Sequence, residues 1–570
     1  MIVQELHHLQ HQKGYLTKPD LRALADRLHV PLHRIEAVVS FFPHFRTTPP
    51  PKVEIAVCRD MSCHLAGSDR LVKQLNEYAA KSTQSVSVCQ VSCLGRCDRA
   101  PAAFVNESLA LQRDAKGIEE MANEITNDRK PDCDSDQDNP LCNSSSEWQI
   151  DIYAKRPTYR AVRDYLQASD PVKTINQLQA AGLLGMGGAG GRAFKKWQDV
   201  RDAVGDRKYV VCNGDESEPG TFKDREILLQ TPHLVLEGMI LGGLTVGATQ
   251  GYVYIRHEYT EQIEAVRQAI EEAKRQGVCG TNILDSGFSF DIEVFVSPGG
   301  YICGEQSALI EAMEDKRAEP RNRPPQLQTN GLWDKPTLLN NVETFAWVPS
   351  IYTKSGDWYA DQGVEKSNGL RFFSISGDVN NPGVYEVPTG ITLGQLIEDY
   401  AGGVCNGELK AVALSGPSGG FLPAEIPVKH LSPRFVETLP DDAKFFRTID
   451  IKLDVPTTRS MGVMLGPGIV IYNHSRDMVE QAQVCLEFYR DESCGKCVPC
   501  RIGSEKLVQI STQIGKRSFG PAEMDSQKAI VAELAETMEI TAICGLGMVA
   551  SNPLQTLYKY FPDELAAYTR

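Results

Sequence analysis

The 570-residue sequence contains no apolar run of about 18 residues, so hydropathy offers no membrane-spanning helix. Its N-terminus, MIVQELHHLQHQKGYL, lacks the basic stretch and apolar core of a secretory signal. Both absences predict a cytoplasmic location. Basic residues are in deficit: 59 lysines and arginines face 74 aspartates and glutamates, for a formal net charge of −15. That balance argues against a nucleic-acid partner, whose phosphates call for a basic patch. No tandem repeat is visible. One hydrophobic core cannot serve a chain of this length, so roughly three to five domains are expected.

Cysteine, by contrast, is abundant. Sixteen cysteines in a chain read as cytoplasmic point to metal or redox chemistry rather than disulfides, because the cytosol keeps thiols reduced. Five of them (Cys212, Cys279, Cys303, Cys405 and Cys485) are isolated and are predicted to be buried small hydrophobes. Cys133 and Cys142 fall in an acidic stretch, Asn127 to Ser146, that reads as a solvated linker with unpaired thiols.

The other nine lie in or beside two groups. Cys58-x4-Cys63 is followed after 29 residues by Cys93-x3-Cys97, each pair in a loop after a predicted strand. Four thiolates converging from two loops suit a [2Fe–2S] cluster, in which each iron takes two cysteines. Zinc is the competing chemistry, but its sites usually show C-x2-C knuckles and these gaps are looser. Cys89 could compete as a ligand. The second group is Cys494-x2-Cys497-x2-Cys500, with Cys544 44 positions later. Three closely spaced cysteines and a distant fourth suit a [4Fe–4S] cubane, and Gly495, Lys496 and Pro499 between them are not core residues. Lys496 and Arg501 could offset the cluster's negative charge.

Hydrophobic periodicity divides the rest. Residues 1–50 read as short helices, with a start at Thr17-Lys18-Pro19-Asp20 and a break at Pro31. Residues 51–127 read as an α/β module and 128–150 as the linker. Over 151–368, strand-like segments (Lys208–Val211, Gly251–Ile255, Asp291–Val296) alternate with helices at 233–246, 259–275 and 304–314, predicting a mostly parallel sheet. Residues 369–455 read as a small β-grasp-like domain and 456–570 as mainly helical. Within the α/β region, Gly182-Leu183-Leu184-Gly185-Met186-Gly187-Gly188-Ala189-Gly190-Gly191 could let backbone N–H groups approach phosphate, although it does not fit G-x-G-x-x-G.

Motifs along the chain resemble those of a known family. Ser92–Pro101 resembles the C-L-x-x-C-x-x-A-P of the thioredoxin-like [2Fe–2S] subunit of respiratory complex I and of related hydrogenases and formate dehydrogenases. Val38-Val39-Ser40-Phe41-Phe42 is similar to a segment ahead of it in the same subunit. Asn213–Arg225 resembles the N-A-D-E-x-E-P-G-x-x-K-D-R of the FMN- and NADH-binding subunit, Tyr301–Leu309 its Y-I-C-G-E-E-[ST]-A-L, and Pro336–Thr344 its P-T-x-x-N-N-V-E-T. The resemblance implies a fusion of the two subunits, as in β subunits of NAD-dependent molybdenum or tungsten formate dehydrogenases. Cys303–Arg317 (CGEQSALIEAMEDKR) is nearest to that branch.

The implied fold is multidomain α/β: a thioredoxin-like [2Fe–2S] domain with its helical bundle, an α/β FMN-binding domain, a β-grasp-like (SLBB) domain and a helical [4Fe–4S] domain. The resemblance makes Cys93 and Cys97 ligands and Cys89 a bystander. It implies that FMN is held by Gly185, Gly187, Gly188, Lys196, Asn213, Asp215, Tyr301, Gly304, Glu305, Asn340 and Asn341. Glu218 would face NAD, and Glu218 and Glu305 would be the acids of the catalytic centre. No molybdopterin-type domain is visible, so a separate catalytic large subunit is the implied partner. Two departures stand out: Gly191-Arg192-Ala193 replaces the aromatic residue that stacks on the nucleotide, and Gln306 replaces the second acid of C-G-E-E.

Overall fold

The computed structural model describes residues 1–138, 148–154 and 156–570, and these group into two units. Cys142 lies outside the described residues.

The first unit comprises Met1–Pro50, Asp136–Glu216 and Lys223–Phe372. Its opening helices follow their capping chemistry: Thr17 accepts the Asp20 N–H, and the Asp20 carboxylate accepts the Thr17 N–H. Pro31 then separates Lys18–Leu28 from Leu32–Phe41. Four parallel strands form the centre, in the order Asp291–Ser297, Gln250–Arg256, Tyr209–Gly214, Thr337–Asn341. The chain adds two strands on one side of Tyr209–Gly214 and then returns to its other side. Such a reversal opens a crevice at the carboxyl ends of the two flanking strands. Helix Pro232–Val246 is apolar all round because it is buried all round. A Cβ at Gly238 would overlap the Phe345 carbonyl of helix Val342–Lys354, so glycine permits that approach.

The N-terminal helices, expected with the [2Fe–2S] module, belong to this unit. The sheet edge explains it: the Gln4 amide donates to the Val296 carbonyl at 2.9 Å and accepts its N–H at 3.2 Å, which satisfies part of an open edge. Three histidine rings line the same junction, with His44 4.7 Å from His7 and 4.2 Å from His257 between centroids. Burial lowers all three, His7 to about 3, and mutual repulsion adds for His7 and His44; Arg46 and Arg256 act in the same sense against Glu258. With folded values depressed, the unfolded chain takes up protons first. Stability is expected to fall as pH drops below about 6.5, by at most about 1.4 kcal/mol per pH unit for each histidine. Denaturation midpoints between pH 7.5 and 5 measure this, and His44→Gln should flatten the profile.

The second unit comprises Pro51–Ser135, Ser217–Phe222 and Phe373–Arg570. Its first sheet has the order Val86–Val91, Val53–Cys58, Ala102–Val105, Ser108–Leu111, parallel in the first pair and antiparallel in the others. Helices Ser68–Lys81 and Ala115–Thr126 cover it through Leu71, Leu75, Ile118 and Met121. This is the expected thioredoxin-like module. A five-stranded sheet follows, with Gly468–Asn473 between Leu370–Gly377 and Leu409–Pro417. That strand lies beyond the boundary at 455 drawn from sequence. All six of its residues are buried, so it reads as a continuous apolar run without the alternation that marks a strand. A two-stranded antiparallel sheet pairs Glu425–Pro427 with Phe445–Arg447, and the residues after Asn473 are mainly helical, in Met478–Asp491, Val498–Gly515 and Pro521–Thr541 among others.

The linker is not simply solvated. Asp134 accepts the Leu111 N–H at 2.7 Å and pairs with Arg113 at 2.9 Å in the second unit. Asp136, fully buried in the first, accepts from Gln262 at 3.1 Å. Acidic residues that look solvated in sequence therefore serve as anchors. Cys133 is exposed as expected. Of the isolated cysteines, Cys212, Cys279, Cys303 and Cys485 are buried, whereas Cys405 is half-exposed beside Asn406. No single helix among the described residues is long and apolar enough to cross a membrane.

Candidate functional site

Strand ends and loops converge at the crevice of the first unit. From Leu183 to Ala193 the glycine-rich segment is a closed loop: the Gly185 N–H donates to the Gly191 carbonyl at 2.7 Å and the Ala193 N–H to the Leu183 carbonyl at 3.0 Å. Gly188 and Gly190 take φ of +106° and +63°, conformations that side chains rarely adopt. The loop rests on the end of Thr337–Asn341, where a Cβ on Gly187 would lie 3.3 Å from the Asn341 Cβ. Lys196, on the following helix, donates to the Leu339 carbonyl at 2.8 Å. Burial, with Arg323 nearby, lowers its pKa to about 8.

Asn213 donates to the Gly304 carbonyl at 2.9 Å and accepts the Asp215 N–H at 3.1 Å. A Cβ on Gly304 would sit 2.9 Å from the Asp215 carbonyl oxygen, so the Tyr301–Gly304 turn closes against Asp215 because residue 304 is glycine. Glu305 caps helix Gln306–Met313 by accepting the Ser307 and Ala308 N–H groups, and its other oxygen takes Arg323 at 2.6 Å. Asn340 is buried, and its Oδ1 has no hydrogen-bond partner among the described residues. Asn341 caps helix Val342–Lys354. Glu218 belongs to the second unit, where it accepts the Ser418 hydroxyl at 2.6 Å.

Sequence patterns assign no role to the side chains beneath the crevice. Lys223, Asp224 and Glu343 are all buried, with Lys223 2.6 Å from Asp224 and 3.0 Å from Glu343. Burial would lower Lys223, but the two carboxylates outweigh it and hold the ammonium charged. Glu216 accepts the Asp224 and Arg225 N–H groups, and burial together with Asp224 pushes it up to about 8. The available signal was four consecutive charges, Lys223 to Glu226, followed directly by Ile227-Leu228-Leu229.

In the second unit Cys58, Cys63, Cys93 and Cys97 are all buried. Cys93 and Cys97 place their sulfurs 3.5 Å apart, close to the roughly 3.8 Å expected of two thiolates about 2.3 Å from one tetrahedral metal. Cys63 and Cys93 beside Cys58, and then burial, hold that thiol well above its ordinary value, so a cation is needed to draw out the thiolate. The Cys93 N–H donates to buried Asp60 at 2.8 Å, the Gly220 N–H points to the Cys97 sulfur at 3.4 Å, and Phe222 packs on both cysteines. Cys89 lies in strand Val86–Val91, opposite Ala56.

The second group gathers at helix starts. Cys497 precedes Val498–Gly515, Cys500 lies in its first turn, and Cys544 precedes Gly545–Val549. A Cβ on Gly547 would be 3.0 Å from the Cys500 Cβ, so glycine admits that approach. Burial lifts Cys500 to about 12 against the Ser493 hydroxyl, with Cys497, Cys544 and Cys494 adding to the rise. No three His, Cys, Asp or Glu side chains among the described residues share one point, as a single metal ion would require. Clusters spread their cysteines over several irons.

These arrangements match known families segment by segment. Residues 1–126 match the thioredoxin-like [2Fe–2S] ferredoxin, 178–350 the Nuo51 FMN-binding domain, 372–421 the SLBB domain and 480–568 the NADH-ubiquinone oxidoreductase-F iron–sulfur binding region. The F subunit of NADH-quinone oxidoreductase from Escherichia coli (strain K12) is 35% identical over 421 residues, covering 73% of this chain and 89% of the relative. The chain belongs to the family of NADH-quinone oxidoreductase F subunits. Within this family, the NADP-reducing hydrogenase subunit HndC of Solidesulfovibrio fructosivorans is 38% identical over 421 residues, 74% of this chain and 80% of the relative. The crystal structure of an NAD+-reducing [NiFe]-hydrogenase in the H2-reduced state superposes with a TM-score of 0.83 at 29% identity, covering 99% of this chain and 92% of that one.

The chain is therefore an electron-transfer oxidoreductase subunit that binds FMN, a [2Fe–2S] and a [4Fe–4S] cluster, with the [2Fe–2S] domain fused ahead of the flavin domain. The crevice suits a flavin phosphate and ring: glycines that leave no Cβ in the loop, a lysine at its wall and the open Asn340 acceptor.

Proposed function

We propose that the chain is the NAD(H)-linked diaphorase subunit of a multi-subunit redox complex and passes single electrons through its clusters to or from a catalytic large subunit. One observation carries this reading: a single chain combines a flavin crevice with two four-cysteine groups. FMN supplies the conversion between hydride and single-electron chemistry. Gly185, Gly187 and Gly188, with Lys196, hold its phosphate, while Asn213, Asp215, Tyr301, Gly304, Glu305, Asn340 and Asn341 orient the rest. Glu218 and Glu305 are the acids on the nucleotide side. Cys58, Cys63, Cys93 and Cys97 hold the [2Fe–2S] cluster, and Cys494, Cys497, Cys500 and Cys544 the [4Fe–4S] cluster.

The surface supports the [4Fe–4S] group as the exchange point. Val498, Ile502 and Ile540 are 71%, 61% and 72% exposed beside it, whereas the first group's cysteines are buried. Clustered exposed apolar side chains of this kind mark protein contacts. We assign the partner to a molybdenum or tungsten formate dehydrogenase, on the likeness of Cys303–Arg317, and the complex to the cytoplasm, whose reducing conditions suit a chain with sixteen cysteines, eight of them assigned to clusters. Formate-driven NAD+ reduction by the purified complex tests the partner; hydrogen-driven reduction without formate activity would replace it by a hydrogenase.

Gly191 and Gln306 favour a second reading, an electron relay without nucleotide activity. Stacking on an aromatic ring contributes about 0.5–1.5 kcal/mol, so its absence should weaken NADH binding by about two- to tenfold without abolishing it. A Cβ at Gly191 would meet nothing within 4 Å among the described residues, and Gly191→Phe should therefore tighten NADH. Gln306→Glu should lower the flavin potential, since added negative charge opposes reduction. If neither NADH nor NADPH reduces the flavin in either protein while dithionite does, the relay reading replaces the diaphorase.

A further inference from the structure

Asn341 stands where three buried charges meet. Its Nδ2 donates to Asp224 Oδ2 at 2.6 Å, while its Oδ1 accepts the Glu343 N–H at 3.0 Å and the Lys223 ammonium at 3.4 Å. Turning the amide over would set NH2 against two donors and oxygen against a carboxylate, so the network allows one orientation. Lys223 is itself fixed between Asp224 at 2.6 Å and Glu343 at 3.0 Å, and Glu343 is tied to the next segment by the Phe372 N–H at 2.8 Å. One Nδ2 hydrogen is used on Asp224. The same network fixes the amide's other hydrogen, and the nitrogen that carries it lies 3.7 Å from where a Cβ on Gly187 of the glycine-rich loop would stand, at the carboxyl end of Thr337–Asn341.

We infer that Lys223 and Glu343 are positioning residues for Asn341: their ion pair orients the amide so that it presents an N–H donor to the flavin. This rests on the reading of Asn341 as an FMN-contacting residue. Lys223 is also the cation closest to Asp224 and Glu343, so it offsets negative charge below the cofactor. Removing it should both misdirect the donor and make the site more negative, and the latter opposes flavin reduction.

The test uses the full chain, stripped of FMN and titrated with FMN. Lys223→Met should raise the FMN dissociation constant by about tenfold or more, the cost of a misaligned hydrogen bond in a buried site, and shift the flavin midpoint potential to more negative values. Because buried Asp224 and Glu343 then lose their counter-charge, Lys223→Met/Glu343→Gln serves as the folding control. The glutamine still accepts the Phe372 N–H and restores charge balance, so the thermal transition should recover while FMN binding stays weak. A folded double variant with wild-type FMN affinity would overturn the inference. Asn341→Ala separates the premise: if it binds FMN as tightly as wild type, Asn341 is not a flavin contact and the underlying reading fails.

Discussion

Replacing Cys497 by serine is expected to remove the [4Fe–4S] cluster. Iron should fall from about six atoms per chain to about two, while bound FMN stays unchanged. A hydroxyl is a poor substitute for thiolate on soft iron, and the three remaining cysteines cannot close a cubane. Cys497 also heads helix Val498–Gly515, whose first turn carries Cys500, so its loss frees the segment that presents two ligands. FMN should survive because the side chains forming its crevice belong to the first unit. Low-temperature electron paramagnetic resonance of the dithionite-reduced chain, iron analysis and reduction of a one-electron acceptor check the outcome. Persistence of the cubane signal would show that another residue is the ligand.

Arg225→Met is expected to destabilise the first unit by about 3–5 kcal/mol, the range seen when one partner of a buried ion pair is removed. The Arg225 side chain is 0% exposed, with Nε and Nη2 3.0 and 2.7 Å from Glu226 Oε1 and Asp136 3.9 Å away. Methionine fills much of the volume but removes the guanidinium that faces both carboxylates. Asp136 is fully buried, so proteolysis near it should accelerate together with the shift in the denaturation midpoint. Arg225→Met/Glu226→Gln should recover part of the loss. A change below about 1 kcal/mol in the single variant would mean that water or rearrangement solvates the pair.

Much of the fold was legible because local rules and tertiary demands agree. Thr17 and Asp20 form the capping box, Pro31 divides two helices, and the strands at Tyr209, Gln250 and Asp291 begin close to where their patterns start. Where they disagree, burial on both faces or long-range contact is the cause. Gly468–Asn473 carries no alternation because it is a central strand, and Asp134 and Asp136 look like solvent-facing linker because their cationic partners are distant in sequence. The N-terminal helices carry no mark of where they dock. Their Gln4 bonds to Val296, far along the chain.

The sequence by itself determined the cofactor classes, since cluster ligation is written in cysteine spacing and the flavin segments in short motifs. The tertiary structure decided what surrounds them. Strand order placed Asn213, Asp215, Asn340 and Asn341 at one crevice, and folding set Lys223 between Asp224 and Glu343 and gave Glu305 its cap and its arginine. The physical reason is range. A cysteine motif is a contiguous geometry that binds as a unit, whereas a buried charge acquires its role from neighbours that only the folded chain brings within hydrogen-bond distance.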